Sequence, residues 1–163
     1  MATIDEVRAY WERHIHDLEI TRHPVGSRGF FADLDQYHFE KLHHLLRLVD
    51  FDGYRDKTVL ELGCGAAIDL ARFAKGGAVV TGVDVAKSAI DLAKANFEQQ
   101  GLRGEFSIAN GEDLPLPDNS FDLVYAHGVV NTPRIPAAWS RNAAACSSLA
   151  AWRFFRSTTA SRG

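Results

Sequence analysis

The stretch "VLELGCGAAIDLARFAKGGAVVTGVD", residues 59–84, constrains the fold more than any other part of the chain. It reads as a short apolar strand, a glycine-containing turn, a helix and a second apolar strand that ends in Asp84. Gly63 and Gly65 fall where the first strand meets the helix. At such a junction the backbone turns sharply, and a Cβ atom would obstruct a bound ligand. The pattern therefore predicts a strand–helix–strand unit with a ligand site at its glycine turn.

The same alternation continues along the chain. Strands are predicted at 58–62, 78–84, 104–110 and 121–129, and a further helix at 88–102. Strands that alternate with helices are typical of an α/β fold, a Rossmann-like doubly wound parallel sheet with helices on both faces. The glycine turn after the first strand predicts the spatial strand order 3-2-1-4.

The chain before this core reads as helical. Thr3 and Glu6 form a capping box that opens a first helix, 21–31 reads as a loop, and 32–51 as a second helix. The length of 163 residues suits one domain. The expected organisation is a helical leader at 1–56, a Rossmann-like core at 57–130 and an atypical tail at 131–163.

Acidic side chains surround the glycine turn. Asp84 lies 19 residues after Gly65, a spacing that suits a carboxylate on the two hydroxyls of a ribose. Ile68 stands where a dinucleotide site needs its third glycine, and Glu61 and Asp69 would repel a pyrophosphate. Carboxylates here favour a ligand with an ammonium and a sulfonium group, as in S-adenosylmethionine (SAM).

Three segments, "VLELGCGAAIDLARFA", "VTGVDVAKSAIDLAKANF" and "NGEDLPLPDNSFDLVYAHGV", resemble the class I SAM-dependent methyltransferases, in particular the bacterial small-molecule type. The likeness covers about residues 57–130 and includes a helical leader that folds over the cofactor. It implies methyl transfer from SAM to a small molecule that is not identified. Two alternatives stay open, an NAD-binding oxidoreductase and a non-catalytic SAM-binding module.

The resemblance also implies a cofactor site. Its residues are Glu61, Gly63, Cys64 and Gly65 at the methionine end, Asp84 at the ribose, Val85 beside the adenine, and Asn110, Gly111 and Glu112 in the adenine loop. Asp69, in the first turn of the helix, is a further candidate for this site; the alternative is that it only complements the helix dipole. Two positions depart from the family pattern. Ala67 replaces a third glycine, and Asn110 stands where an acid is usual, although its amide oxygen can still accept a hydrogen bond.

No catalytic group is obvious in the sequence. His127 follows the fourth predicted strand and is a candidate general base, with a packing role as the alternative. Four aromatic residues of the leader could form a lid over the sulfonium or simply pack: Tyr10, Trp11, Phe30 and Phe31. No metal site is predicted, because no cysteine or acid cluster completes a set of histidine ligands along the sequence.

Charge and composition limit the kinds of partner expected for this protein. All 21 acidic side chains precede residue 131, which argues against nucleic acid as the main partner. No run approaches the ~18 apolar residues of a membrane span. The N-terminus has no apolar signal-peptide core, and the two cysteines form no disulfide framework. These features predict a cytoplasmic protein with a small-molecule substrate and no membrane partner; its oligomeric state stays open.

The tail at 131–163 has a different composition from the rest of the chain. It contains no acid, five arginines and eight alanines. The family continues at this point with a helix, a "VLKPGG" loop and three more strands. A reading frame that starts each codon one base earlier can encode such a sequence. We therefore expect the tail to be an out-of-frame reading of a truncated methyltransferase, which keeps its SAM contacts on the first four strands but has poor or no turnover because the last three strands are lost. The alternative is a genuine alanine-rich helix.

Overall fold

Four parallel strands form the centre of the protein. The computed structural model describes residues 3–14, 18–111 and 113–127. The strands are β1 (Thr58–Leu62), β2 (Val79–Asp84), β3 (Glu105–Ile108) and β4 (Leu123–Ala126), and they lie in the order β3-β2-β1-β4. All three pairings are parallel. The predicted α/β fold class and strand order are confirmed.

Five helices accompany the sheet in the described part of the chain. They are α1 (Ile4–Trp11), α2 (Arg28–Lys41), α3 (Leu45–Leu48), α4 (Ile68–Lys75) and α5 (Lys87–Gln100), with a 3-10 turn at Leu18–Ile20. The capping box that opens α1 is present: the Glu6 backbone N–H donates to the Thr3 hydroxyl, and the Thr3 backbone N–H donates to the Glu6 carboxylate. This confirms the predicted start of the first helix.

The crossover helices α4 and α5 pack on the same face of the sheet. Val59 and Val80 on that face lie in one buried cluster with Leu70 of α4 and Phe97 of α5. Among the described residues, both crossover helices therefore lie on this one face. Two successive crossovers that run in the same direction along a sheet, from β1 to β2 to β3, place their helices on one side.

The opposite face has a smaller core. Leu60, Leu62 and Val83 point to it and pack with Ala109 and Phe121. Leucines from the loop before β4 cover part of this cluster: Leu114 and Leu116. Side chains of β1 therefore alternate between two apolar faces, which explains why the strand reads as an unbroken apolar run apart from Glu61.

Helix α2 forms a further layer over α4 and α5. Its Phe30 and Phe31 are 0% and 2% exposed and pack in a cluster with Leu92 of α5. Of the two alternatives, a lid or packing, these two residues take the packing role. An ion pair of 3.0 Å between Asp35 of α2 and Arg72 of α4 joins the two helices.

The bounds of the second helix differ from the prediction. Helix α2 begins at Arg28, inside the predicted loop, because the hydroxyl of Ser27 accepts from the backbone N–H of Phe30 and caps the helix. It ends at Lys41, because Leu42 leaves the helical region with φ −113° and ψ 38°. The separate helix α3 then covers only 45–48 of the predicted range 32–51.

The sheet has its topological switch point between β1 and β4. The connections from β1 lead outward through β2 to β3, whereas β4 lies on the other side of β1. Ligands of open α/β sheets bind outside the carboxyl ends of the strands at such a point. No helix within the described ranges is long and apolar enough to cross a membrane.

Candidate functional site

The turn after β1 has a left-handed backbone at three positions. Gly63, Gly65 and Ala67 have φ values of 63°, 53° and 56°. Glycine adopts this conformation freely, whereas a residue with a Cβ atom is strained in it. A Cβ added at Gly65 would meet nothing within 4 Å. The turn therefore exposes its backbone to open space at the switch point, as a close-approaching ligand requires.

Asp84 connects the end of β2 to this turn. Its Oδ2 accepts a hydrogen bond of 3.0 Å from the backbone N–H of Gly65, and its Oδ1 one of 3.0 Å from the N–H of Ala86. Burial raises the pKa of this carboxyl, and the nearby charge of Glu12 raises it further, against the backbone hydrogen bonds. A carboxylate can accept about four hydrogen bonds, so the predicted contact to ribose hydroxyls remains compatible with these bonds.

Glu61 is a buried acid on β1 next to the turn. It is 4% exposed, and its Oε2 has no hydrogen-bond partner among the described residues. Burial raises the pKa of this carboxyl well above its usual range, and the charge of Asp69 raises it further. The backbone N–H of Leu70, in the first turn of α4, opposes this shift. A cationic ligand at the turn would relieve the cost of ionising Glu61.

Asp69 is enclosed by three hydrogen-bond donors. Its Oδ1 accepts from His38 Nε2 at 2.9 Å, and its Oδ2 accepts from His127 Nδ1 and from the Tyr125 hydroxyl, both at 2.9 Å. Burial opposes ionisation of this carboxyl, but the hydrogen bonds from the two histidines prevail and lower its pKa. Sequence reasoning placed Asp69 in the cofactor set and missed these partners, which come from α2 and β4.

Asp69 and its two histidine partners are the one His/Cys/Asp/Glu cluster in the described residues whose ligand atoms lie close enough to share a metal ion. The donor atoms of His38, Asp69 and His127 lie within 4.8 Å of one another. The prediction of no metal site overlooked this set, because its members are 31 and 58 residues apart. The distances of 2.9 Å are those of hydrogen bonds between ring N–H groups and a carboxylate.

The remaining predicted site residues lie around the turn or near the ends of β2 and β3. Cys64 is buried, and burial raises the pKa of its thiol well above the usual value, which disfavours the reactive thiolate. Val85 directly follows β2, and Asn110 pairs with Asp113 in a short bridge beside Gly111. Glu112 lies outside the described residues. Binding roles for these residues stay predictions.

Helix α1 contacts the site through Glu12, a residue that sequence analysis missed. Its carboxylate accepts from the backbone N–H of Lys87 at 2.6 Å and of Ser88 at 3.2 Å. These N–H groups open α5, whose N-cap residue Ala86 has no capping side chain. The sequence signal that could have pointed to this contact is Ala86 itself, whose side chain cannot cap α5. Of the other lid candidates, Tyr10 is 49% exposed and Trp11 half-buried.

Comparison with known proteins agrees with this arrangement. The family model described as "Methyltransferase domain" matches residues 59–148, more than half of the chain. The chain belongs to the methyltransferase domain family. The predicted resemblance to SAM-dependent class I methyltransferases is thereby confirmed. The match extends into the tail that begins at residue 131; the predicted reading-frame shift lies outside the described residues and stays a prediction.

Two relatives of this methyltransferase domain match different shares of the chain. A ubiquinone biosynthesis O-methyltransferase of Coxiella burnetii is 35% identical over 91 residues, 56% of this chain and 39% of the relative. A phosphoethanolamine N-methyltransferase of Triticum aestivum is 30% identical over 138 residues, 78% of this chain and 25% of the relative. The chain thus spans about two fifths or less of the length of these relatives.

A solved structure supports the fold. A SAM-dependent methyltransferase from Aquifex aeolicus superposes with a TM-score of 0.51 at 24% identity, covering 66% of this chain and 66% of that protein. At this identity the likeness supports the fold alone.

Proposed function

We propose that the glycine turn and Asp84 bind SAM and that the protein transfers its methyl group to a small molecule. The observation that carries this proposal is the turn itself. Gly65 presents open space at the switch point, and its N–H is held by the carboxylate of Asp84. The turn residues would then hold the methionine part of SAM, and Asp84 the ribose.

The charge of the site favours SAM over NAD. Glu61, Asp69 and Asp84 lie close enough for the two other carboxylates to raise the pKa of Glu61. A pyrophosphate would add negative charge to this group, whereas the ammonium and sulfonium of SAM add positive charge. Ile68 also stands where a dinucleotide turn needs a glycine. The relatives named above are methyltransferases of small molecules, which supports the same class of reaction.

The reaction needs mainly alignment. An in-line displacement at the methyl carbon requires the acceptor to lie opposite the sulfur and water to be excluded. The acceptor would bind on the β4 side of the turn, where His127 and Tyr125 lie. The first relative named above methylates oxygen and the second nitrogen, as their names state, so the comparisons leave the acceptor atom open.

Calorimetric titration of the full chain with SAM, S-adenosylhomocysteine and NAD tests the proposal. We expect the first two to bind and NAD not to bind. Binding of NAD without binding of SAM would instead indicate an oxidoreductase. Binding of SAM without transfer of a labelled methyl group to any acceptor would indicate a SAM-binding module.

The variant Asp84→Asn tests the ribose contact. Loss of a charge-assisted hydrogen bond is expected to weaken SAM binding by about 1.5–3 kcal/mol. Asp122→Asn is the matched control, because Asp122 also accepts from a backbone N–H, that of Thr58 at 2.8 Å, but at the amino end of β1. Equal affinities of the two variants would remove Asp84 from the site.

A further inference from the structure

Asn96 of α5 is a polar side chain with 0% exposure that contacts the turn after β1. Its Nδ2 donates to the backbone carbonyl of Ala66 at 2.7 Å and to that of Ala67 at 3.4 Å. Its Oδ1 accepts from Nε2 of Gln100, one turn further along α5, at 2.5 Å. Carbonyl oxygens only accept hydrogen bonds and an amide nitrogen only donates them, so these three partners determine the orientation of the Asn96 amide.

Ala67 is the residue of the turn whose backbone conformation is strained. Its φ of 56° and ψ of 43° lie in the left-handed region, which glycine adopts freely and alanine only at a cost in free energy. Ala67 is also fully buried, in the same cluster as Leu70, so its methyl group belongs to the core and not to the open space beside Gly65. A strained residue keeps its conformation only where neighbouring groups hold it there.

The two hydrogen bonds from Asn96 hold the turn at this strained residue. In a trans peptide the C=O group and the following N–H group point in opposite directions. Because the carbonyls of Ala66 and Ala67 point to Asn96, the N–H groups of Ala67 and Ile68 point away from it. The N–H of Ala67 donates to the carbonyl of Cys64 at 2.7 Å, which closes the turn. Asn96 thus holds the two peptide planes on either side of Ala67, and rotation of these planes is what would release the strain.

We propose that Asn96 is a positioning residue of the SAM site, which holds the turn in the conformation that receives the methionine part of SAM and offsets the strain at Ala67. This inference rests on the proposed SAM-dependent function. Asn96 does not contact the ligand, because its side chain is fully buried behind the turn. It acts through the backbone carbonyls of 66–67, whereas Asp84 holds the same turn at the N–H of Gly65.

The variant Asn96→Leu tests the inference, because leucine has nearly the same shape as asparagine and makes no hydrogen bond. If the turn leaves its conformation in this variant, only the remaining fraction of molecules can bind, and Kd for SAM is expected to rise about 5- to 30-fold. Thr58→Val is the matched control, because it also replaces a hydrogen-bonding side chain by an apolar one of the same shape. The hydroxyl of Thr58 donates at the amino end of β1, to Asp122 at 2.9 Å or to the carbonyl of Ser120 at 3.2 Å, and this variant is expected to keep the Kd of the unchanged protein.

The substitution Ala67→Gly, alone and combined with Asn96→Leu, separates positioning from a purely structural role. Glycine adopts the left-handed conformation without strain, so the turn no longer needs Asn96 to keep it. In the presence of Ala67→Gly, Asn96→Leu is therefore expected to change Kd by about twofold or less. A role of Asn96 in stability alone would lower Tm with and without Ala67→Gly and would leave Kd unchanged in both cases.

Hydrogen exchange of the ligand-free full chain, followed by NMR, gives a readout that does not depend on SAM. The N–H of Ala67 is expected to exchange faster in Asn96→Leu than in the unchanged protein, because its bond to Cys64 opens with the turn. The amides of β1 are expected to keep their exchange rates. If Asn96→Leu does not fold, Gln100→Leu replaces it: this variant removes, at a half-buried position, the partner that holds the Asn96 amide, and Kd is expected to rise by a smaller factor.

Calorimetry of the unchanged protein distinguishes the two possible failures. No binding of SAM would be a failure of the proposed function, and the inference would fall with it. Binding of SAM with a Kd in Asn96→Leu within about twofold of the unchanged value would overturn this inference alone. It would also be overturned by an equal rise in Kd for Asn96→Leu and Thr58→Val, by the same fold change with and without Ala67→Gly, or by unchanged exchange of the Ala67 N–H. Where Gln100→Leu replaces Asn96→Leu, an unchanged Kd overturns the inference in the same way.

Discussion

The variant Gly65→Ala adds one methyl group at the turn, and comparison with a matched control separates its effect on folding from its effect on ligand binding. Gly65→Ala keeps the backbone N–H that donates to Asp84. Gly101→Ala is the matched control: Gly101 ends α5 with φ 65° against 53° at Gly65, and at both positions a Cβ atom would meet nothing within 4 Å. The two substitutions therefore add the same atom to the same kind of backbone, one at the turn and one at the far end of a helix.

The expected cost to folding is the same for both variants. Alanine in the left-handed region costs about 1–2 kcal/mol, and the reduced freedom of the unfolded chain returns about 0.4–1 kcal/mol. The net loss of unfolding free energy is about 1 kcal/mol, which corresponds to a fall in Tm of roughly 2–4 °C for a chain of this size. Thermal unfolding followed by circular dichroism measures this loss.

The expected cost to binding differs between them. If SAM occupies the open space beside Gly65, the added methyl overpacks the site at about 1–3 kcal/mol, so that Kd rises roughly 5- to 150-fold. Gly101→Ala should bind SAM as the unchanged protein does. Calorimetry at 25 °C, below the unfolding transition of both variants, gives the comparison. Equal affinities of Gly65→Ala and Gly101→Ala would refute the placement of the ligand at this turn.

Three further outcomes are expected. Glu61→Gln should raise Tm by an amount that grows as the pH rises above about 4.5, because the raised pKa of Glu61 makes its ionisation in the folded protein costly. The unchanged protein should release a proton when it binds SAM, which calorimetry in buffers of different ionisation enthalpy detects, and Glu61→Gln should abolish this release. Asp69→Asn should lower the unfolding free energy most at neutral pH. That difference should shrink below about pH 4. Because the pKa of Asp69 is lowered in the folded protein, its ionised carboxylate stabilises the folded state at a pH above the pKa of the unfolded chain, and this contribution is lost as the pH falls. A Tm difference that is independent of pH would contradict either statement. The gene should contain, after a shift of one base at or just before codon 131, a longer frame with the "VLKPGG" loop; its nucleotide sequence decides this.

Local patterns allowed a correct prediction of the core. The strand–turn–helix–strand unit from Thr58 to Asp84 and the parallel order of the sheet followed from apolar runs, two glycines and a final acid. The capping box at Thr3 was equally local. Each of these signals lies within a short window of sequence, where backbone preferences and strand connections act directly. The same spacing predicted that Gly65 and Asp84 lie together, as they do; their role in binding a cofactor stays a prediction.

Other features depended on packing between distant segments. Phe30 and Phe31 gave no signal that distinguished a lid from a core, and only the position of α2 against α5 decided it. The sequence also gave no reason to join His38 to Asp69 and His127, because three separate elements supply them. The sequence by itself determined the strands, the turn and the acids of the site. The tertiary structure decided which donors surround the buried Asp69, because hydrogen bonds to a buried carboxylate are selected by proximity in space and not by spacing along the chain.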